Sequence, residues 1–187
     1  MKKLLLILLC ISFSTIFSYS QEPDSFQTSL GELKITPILH GSLVIQLNDV
    51  LIFVDPYGGG QNYGAFSSPN MILITDSHGD HLNQKTLDEI DTKTAEFIVP
   101  QAVNDKLSSK YKSTVLKNGQ GIHRNGLYIE AIPMYNLPES DSAMHPKGRG
   151  NGYLLTVGDT HIYLSGDTED IPEMRMLRNI DIAFLCI

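Results

Sequence analysis

Cysteine is nearly absent from this chain of 187 residues, which has two, Cys10 and Cys186. Cys10 falls in a leader that reads as removable. The remainder then carries a single thiol, which excludes an intrachain disulfide. The fold must rest on its apolar core and on any metal it holds. Basic residues are also scarce, 14 against 21 acidic, for a formal charge of −7. Without a basic patch to neutralise phosphates, the chain is not expected to bind nucleic acid, and anionic membrane surfaces are poor partners for the same reason. Tryptophan is missing, which excludes nothing. A G-x-S-x-G elbow is missing too, and the one remaining cysteine sits in an apolar run, so neither a serine nor a cysteine nucleophile is supported. Gly148-Arg149-Gly150-Asn151-Gly152 is glycine-rich but precedes a strand instead of opening a helix, so it is not a phosphate-binding loop. No period of 20–50 residues appears, which excludes a solenoid.

What is present begins with a leader. Lys2 and Lys3 precede an apolar stretch, Leu4–Phe17, and small residues lead up to Ser20. This pattern predicts a secretory signal over residues 1–20 and an exported protein, periplasmic or extracellular. The alternative is an uncleaved anchor, although the run is shorter than the ~20 residues of a membrane span. A lipoprotein signal at Cys10 is disfavoured by Leu9 before it. Removing residues 1–20 takes two lysines and no acidic residue, moving the formal charge from −7 to −9.

Residues 21–32 read as a polar tail, and residues 33–187 as one domain. Strands are expected at Leu33–Leu39, Leu43–Leu47 and Val50–Val54, the last two joined by Asn48-Asp49 as a hairpin. Met71–Thr75 is a continuous apolar run, as in a strand buried on both faces. A helix follows near Asn83–Ile90, then a strand at Glu96–Val99. Val103, Leu107 and Tyr111 share one face of a second helix. Further strands are expected at Val115-Leu116, Leu127–Pro133, Tyr153–Val157 and His161–Ser165. A long loop, Tyr135–Asn151, a short helix at Ile171–Leu177 and a strand at Ile182–Ile187 complete the reading. Two sheets packed together with helices outside, an α/β sandwich, satisfy this order of elements.

The chemistry concentrates in Thr75-Asp76-Ser77-His78-Gly79-Asp80-His81, directly after the buried run. Asp76 and His78, two apart on extended chain, leave on the same side. Gly79 allows a turn that aims Asp80 and His81 elsewhere. Four potential ligands within six residues could hold two ions about 3.5–4 Å apart. The structural alternative is a helix N-terminus favouring the Asp80 charge. His145 lies in the long polar loop, where functional residues tend to sit. His40, His123 and His161 sit at turns or strand ends and read as structural or surface residues. His40 is the best of the three for a supporting role. Asp55 ends a strand and could orient a ligand histidine through its second nitrogen, or simply form an Asp-Pro turn.

The segment from Asp76 to His81 resembles the H-x-H-x-D-H signature of the metallo-β-lactamase superfamily, with Asp76 in place of the first histidine. Asp55-Pro56, His145-Pro146-Lys147-Gly148 and Ser165-Gly166-Asp167-Thr168 agree with that family, and most resemble the branch of ascorbate-phosphate lactonase-like hydrolases. The resemblance implies an αββα four-layer sandwich and two divalent ions, zinc by default. It implies that Asp76, His78 and His145 hold one ion and Asp80 and His81 the other, with Asp167 bridging them. A metal-bound hydroxide, oriented by Asp80 as catalytic residue, would attack an ester, lactone or phosphodiester of a small-molecule substrate. Asp76 is a harder ligand than imidazole and favours Mn2+ or Fe2+ more than histidine would. Members of the family continue past the strand at Ile182 with a further metal-binding histidine, so the domain is expected to be incomplete here. A shortened complete domain is the alternative, as is a degenerate, non-catalytic member of the family.

Overall fold

The computed structural model describes residues 22–186; the expected signal sequence lies outside them. Among the described residues, twelve strands form two sheets. The first sheet contains β1 (Asp24–Thr28), β2 (Gly31–Pro37), β3 (Leu43–Leu47), β4 (Val50–Val54), β5 (Met71–Leu73), β6 (Glu96–Val99) and β7 (Lys112–Val115), in chain order. Strands β1 to β4 form an antiparallel meander. From β4 to β7 the pairing is parallel. The crossovers carry a 3-10 turn (Gly60–Tyr63) and helices α1 (Gln84–Glu89) and α2 (Gln101–Asn104). The second sheet contains β8 (Gly121–Arg124), β9 (Leu127–Met134), β10 (Gly150–Val157), β11 (Thr160–Leu164) and β12 (Ile182–Phe184), in the order β12-β11-β10-β9-β8.

Side-chain alternation explains the layers. Leu33, Ile35, Ile45, Ile52 and Leu73 face the second sheet and pack with Ile129, Tyr153, Leu155 and Ile162. The intervening residues Val44, Phe53, Ile72 and Ile74 face outward, where Tyr63, Leu87 and Val103 of the crossovers cover them. A strand buried on both faces must be apolar throughout, which is why Val50–Val54 and Met71–Ile74 show no polar alternation. The mixed α/β sandwich is therefore as expected, with one thin layer. Outside the second sheet the described helix is α3 (Pro172–Met176), which buries none of its residues.

Four local expectations are corrected. The tail at 21–32 holds β1, which pairs along β2 as the edge strand. The helix expected over Val103–Tyr111 is four residues long, Gln101–Asn104. Lys106 then turns its ammonium to Ser77 Oγ at 3.0 Å, while Val103 and Tyr111 pack into the outer core. Strand β8 was not expected, because Gly121-Ile122-His123-Arg124 has too little apolar character to stand out. Strand β10 starts at Gly150, inside the segment read as loop.

That early start depends on close approach. A Cβ on Gly150 would lie 2.9 Å from the Thr75 carbonyl oxygen and still closer to the Met134 side chain. With glycine there, Asn151 N–H reaches Thr75 O at 2.9 Å and ties β10 to the end of β5. Tyr153 strengthens the junction. Its hydroxyl, fully buried, lies 2.9 Å from Ile74 O and 3.1 Å from Ile98 O, bridging the sheets. Tyr153→Phe is expected to lower unfolding free energy by about 1–2 kcal/mol, since it strands buried carbonyl capacity without changing volume. Urea denaturation checks this; an unchanged midpoint and slope would show that the bridge contributes nothing.

Candidate metal centre

The site gathers at the carboxyl ends of β4, β5 and β11, where parallel strands open toward ligands in α/β sheets. Asp55 follows β4 at φ +42°, a left-handed conformation that points its carboxylate inward. Its Oδ1 accepts the Thr75 amide at 2.8 Å, and its Oδ2 accepts the Thr75 hydroxyl at 2.5 Å. The same Oδ2 lies 2.8 Å from His81 Nδ1. Asp55 thus fixes the end of β5 and the ring of His81 together. With Nδ1–H directed at Asp55, His81 presents Nε2 to the site.

His81 Nε2 lies 3.0 Å from Asp167 Oδ2 and 3.8 Å from Asp80 Oδ2. Asp80 Oδ2 lies 3.0 Å from His40 Nε2. On the other side of Asp167, His145 Nε2 is 3.3 Å from the same Oδ2. Donors around one tetrahedral ion at 2.0–2.2 Å stand about 3–3.5 Å apart, and most neighbouring pairs in this run of contacts have that spacing. His145 supplies the sharper observation. Its Nδ1 and its backbone N–H both face Asn136 Oδ1, at 2.9 and 3.1 Å. The proton therefore sits on Nδ1, and Nε2 is a bare acceptor, buried without a hydrogen-bond partner. It faces two carboxylates, Asp167 at 3.3 Å and Asp76 at 3.9 Å. Acceptors converging in a buried space call for a cation between them.

Asp76 and His78 form the third part. Asp76 is fully buried, and its Oδ2 lies 2.9 Å from His78 Nδ1. Both its oxygens receive a fork from Arg149, Nε to Oδ1 at 3.1 Å and Nη2 to Oδ2 at 2.9 Å. Nη2 also donates to His78 Nε2 at 3.2 Å. All six sequence-predicted ligands thus meet in one place, although Asp76 and His78 are drawn to Arg149. Two groups of three side chains have ion-holding spacing: His40 with Asp80 and His81, and Asp76 with His78 and His145.

Sequence reading gave one participant a supporting role only and missed another. His40, at φ +56°, stands beside Asp80 with Nε2 toward its carboxylate. Arg149 was set aside with the glycine-rich segment. A buried aspartate in place of a histidine demands a counter-charge, and that was the available signal for Arg149.

Charge is compensated inside the site. Burial opposes a charged His81 ring, but the hydrogen bonds to Asp167 and Asp55 and their negative charges prevail, lifting its pKa to about 11. The His81 contact holds the Asp167 carboxyl at about 2 despite burial. Burial pushes His145 down, keeping its ring neutral. Burial and then the Asp167 charge push the Cys186 thiol up, away from nucleophilic form.

These features meet in a known family. The beta-lactamase superfamily domain matches residues 34–187. The chain belongs to that family. It is similar to a UPF0173 metal-dependent hydrolase of Ligilactobacillus salivarius, 29% identical over 164 residues, covering 83% of this chain and 72% of the relative. A crystal structure from Parabacteroides distasonis, of a protein assigned to the metal-dependent hydrolases, is 42% identical with a TM-score of 0.79, over 88% of this chain and 74% of that one. CmlA, a diiron β-hydroxylase from Streptomyces venezuelae, shares the fold alone, at 16% identity and a TM-score of 0.65 over 87% of this chain and 34% of that one. Family, fold and ligand set together make this superfamily member a metal-dependent hydrolase.

Two outcomes follow. Asp55→Asn should weaken metal binding about 10–100-fold by loosening the His81 ring; equal affinity in a metal titration would remove Asp55 from that role. Without metal, His81 keeps its proton up to about pH 11. An ion that takes Nε2 must displace that proton, so affinity should rise with pH, up to about tenfold per unit for one proton. Calorimetry in buffers of different ionisation enthalpy should register the released proton, and a buffer-independent heat would contradict it.

Proposed function

We propose that this superfamily member hydrolyses an ester, lactone or phosphodiester bond of a small molecule, with zinc as the default ion and Mn2+ or Fe2+ as substitutes. The observation that carries the reading is the run of contacts in which Asp167 joins His81 Nε2 to the bare, buried His145 Nε2, with Asp80 beside His81. A divalent ion bound there supplies a water acidified toward neutral pH and polarises the attacked carbonyl or phosphoryl group. Asp55 holds His81 in the tautomer that can ligate. Asn136 does the same for His145. Asp80, half-exposed and beside His40, is placed to accept a hydrogen bond from the attacking water and aim it.

A cavity of about 300 Å3 adjoins these residues. Leu43, Val54, Phe184 and Leu185 give it apolar walls, while His40, His81 and Asp167 line its polar side. That volume suits a small substrate with an apolar portion. Lys2, Lys3 and the apolar run from Leu4 to Phe17 support export, to the periplasm or beyond the cell.

A panel of esters, lactones and phosphodiesters, assayed with Zn2+, Mn2+ and Fe2+, tests the reading. Chelation should abolish hydrolysis and metal should restore it. His81→Ala should lower the rate at least about 10²-fold, the scale of losing transition-state charge stabilisation. Hydrolysis that survives both chelation and His81→Ala would sink the proposal.

A further inference from the structure

The family resemblance implies two ions, yet the two halves of this site differ in what they offer a cation. Around His81 the donors are two carboxylates, Asp80 and Asp167, flanked by imidazoles, with no basic side chain hydrogen-bonded to either. Around Asp76 there is one carboxylate, and both its oxygens are already engaged by Arg149. Both ring nitrogens of His78 lie within reach of the same guanidinium nitrogen, Nε2 at 3.2 Å and Nδ1 at 3.5 Å. Arginine's positive charge is permanent, and its planar fork matches a carboxylate edge. Asp76 is matched by a fixed cation, whereas Asp80 and Asp167 are met by imidazoles, which a metal can replace as partners. A second divalent ion beside Asp76 would stand against a fixed cation only a few ångströms away, in a space the side chain of Asp76 shares with no solvent.

We infer that this is a one-ion centre, in which the Arg149 guanidinium takes the place of the second metal ion and the ion is held on the His81 side, by His81, Asp80 and Asp167. Asp167 Oδ2 lies 3.0 Å from His81 Nε2 and 3.3 Å from His145 Nε2, so one carboxylate connects the ion's side of the site to the side that Arg149 fills. The change of His to Asp at position 76 and the presence of Arg149 then form one device. An imidazole at position 76 would bind a metal and repel arginine; a carboxylate accepts the fork. The glycines around Arg149 have a use in this device. Gly148, at φ +85°, turns the chain, and Gly150 lets it press against Thr75, so the intervening arginine enters the site and not solvent. Arg149 remains partly accessible, at 23% side-chain exposure. It can therefore present a fixed positive charge to an anionic or developing-anionic oxygen of the substrate, as a second metal would.

The inference rests on the metal-dependent reading above, and metal analysis separates the two. The intact protein, loaded with excess Zn2+ and dialysed, is analysed by elemental mass spectrometry, and loaded with Co2+ it is examined by electron paramagnetic resonance. One ion per chain and an uncoupled Co2+ signal are expected. Two ions per chain, or a spin-coupled pair, overturns the one-ion centre while leaving metal-dependent hydrolysis standing; no bound metal overturns both. Arg149→Ala should raise the content from one ion to two by freeing Asp76 and His78, and a content that stays at one in a folded variant removes Arg149 as the excluding group. Should that variant not fold, His81→Ala decides: a one-ion centre falls to none, whereas a two-ion centre keeps one.

Discussion

Four carboxylates, from Asp55, Asp76, Asp80 and Asp167, are gathered around the rings of His81 and His145, and the need to neutralise them governs the site. Three of the four are largely or wholly withdrawn from water. A buried anion without a partner is costly enough to unfold a small domain. Each is therefore answered by something specific. Asp55 receives an amide, a hydroxyl and an imidazole; Asp76 receives a guanidinium; Asp167 shares His81 and faces His145. What remains without a hydrogen-bond partner is His145 Nε2, facing Asp167 and Asp76.

The fold supports this by distributing the groups over independent anchors. Asp55 ends β4, the cluster from Asp76 to His81 follows β5, Arg149 precedes β10, and Asp167 follows β11. The two sheets come together there through Gly150, Asn151 and Tyr153, so their junction and the ligand set are one structure. A shift of the second sheet would move Asp167, His145 and Arg149 as a group relative to His81.

Likeness of fold does not choose the chemistry. The same sandwich carries a diiron β-hydroxylase in the Streptomyces protein, and a hydrolase is the name given to the relatives with greater identity. The distinction has to come from which donors face the ion and which charges surround it. Here a carboxylate-rich half beside an arginine-filled half is the particular feature of this chain.

Much was legible in advance because it was local. Apolar runs bounded by turns marked β3, β4, β5 and β6 with little error, since strands buried on both faces cannot be polar anywhere. The spacing of Asp76, His78, Asp80 and His81 after a buried strand announced metal chemistry, because such a cluster has few other uses. Weakly apolar strands such as β1 and β8 were lost, for their stability comes from pairing partners and not from their own residues. The helix at Val103 was overestimated, because its apolar spacing serves a packed turn equally well. What only the tertiary structure decided is the pairing of charges across the sheets. Asp76 and Arg149 are 73 residues apart, and His81 and Asp167 are 86 apart. Side-chain electrostatics at that separation depends on ångström-scale approach of two sheets, and linear spacing carries no record of it.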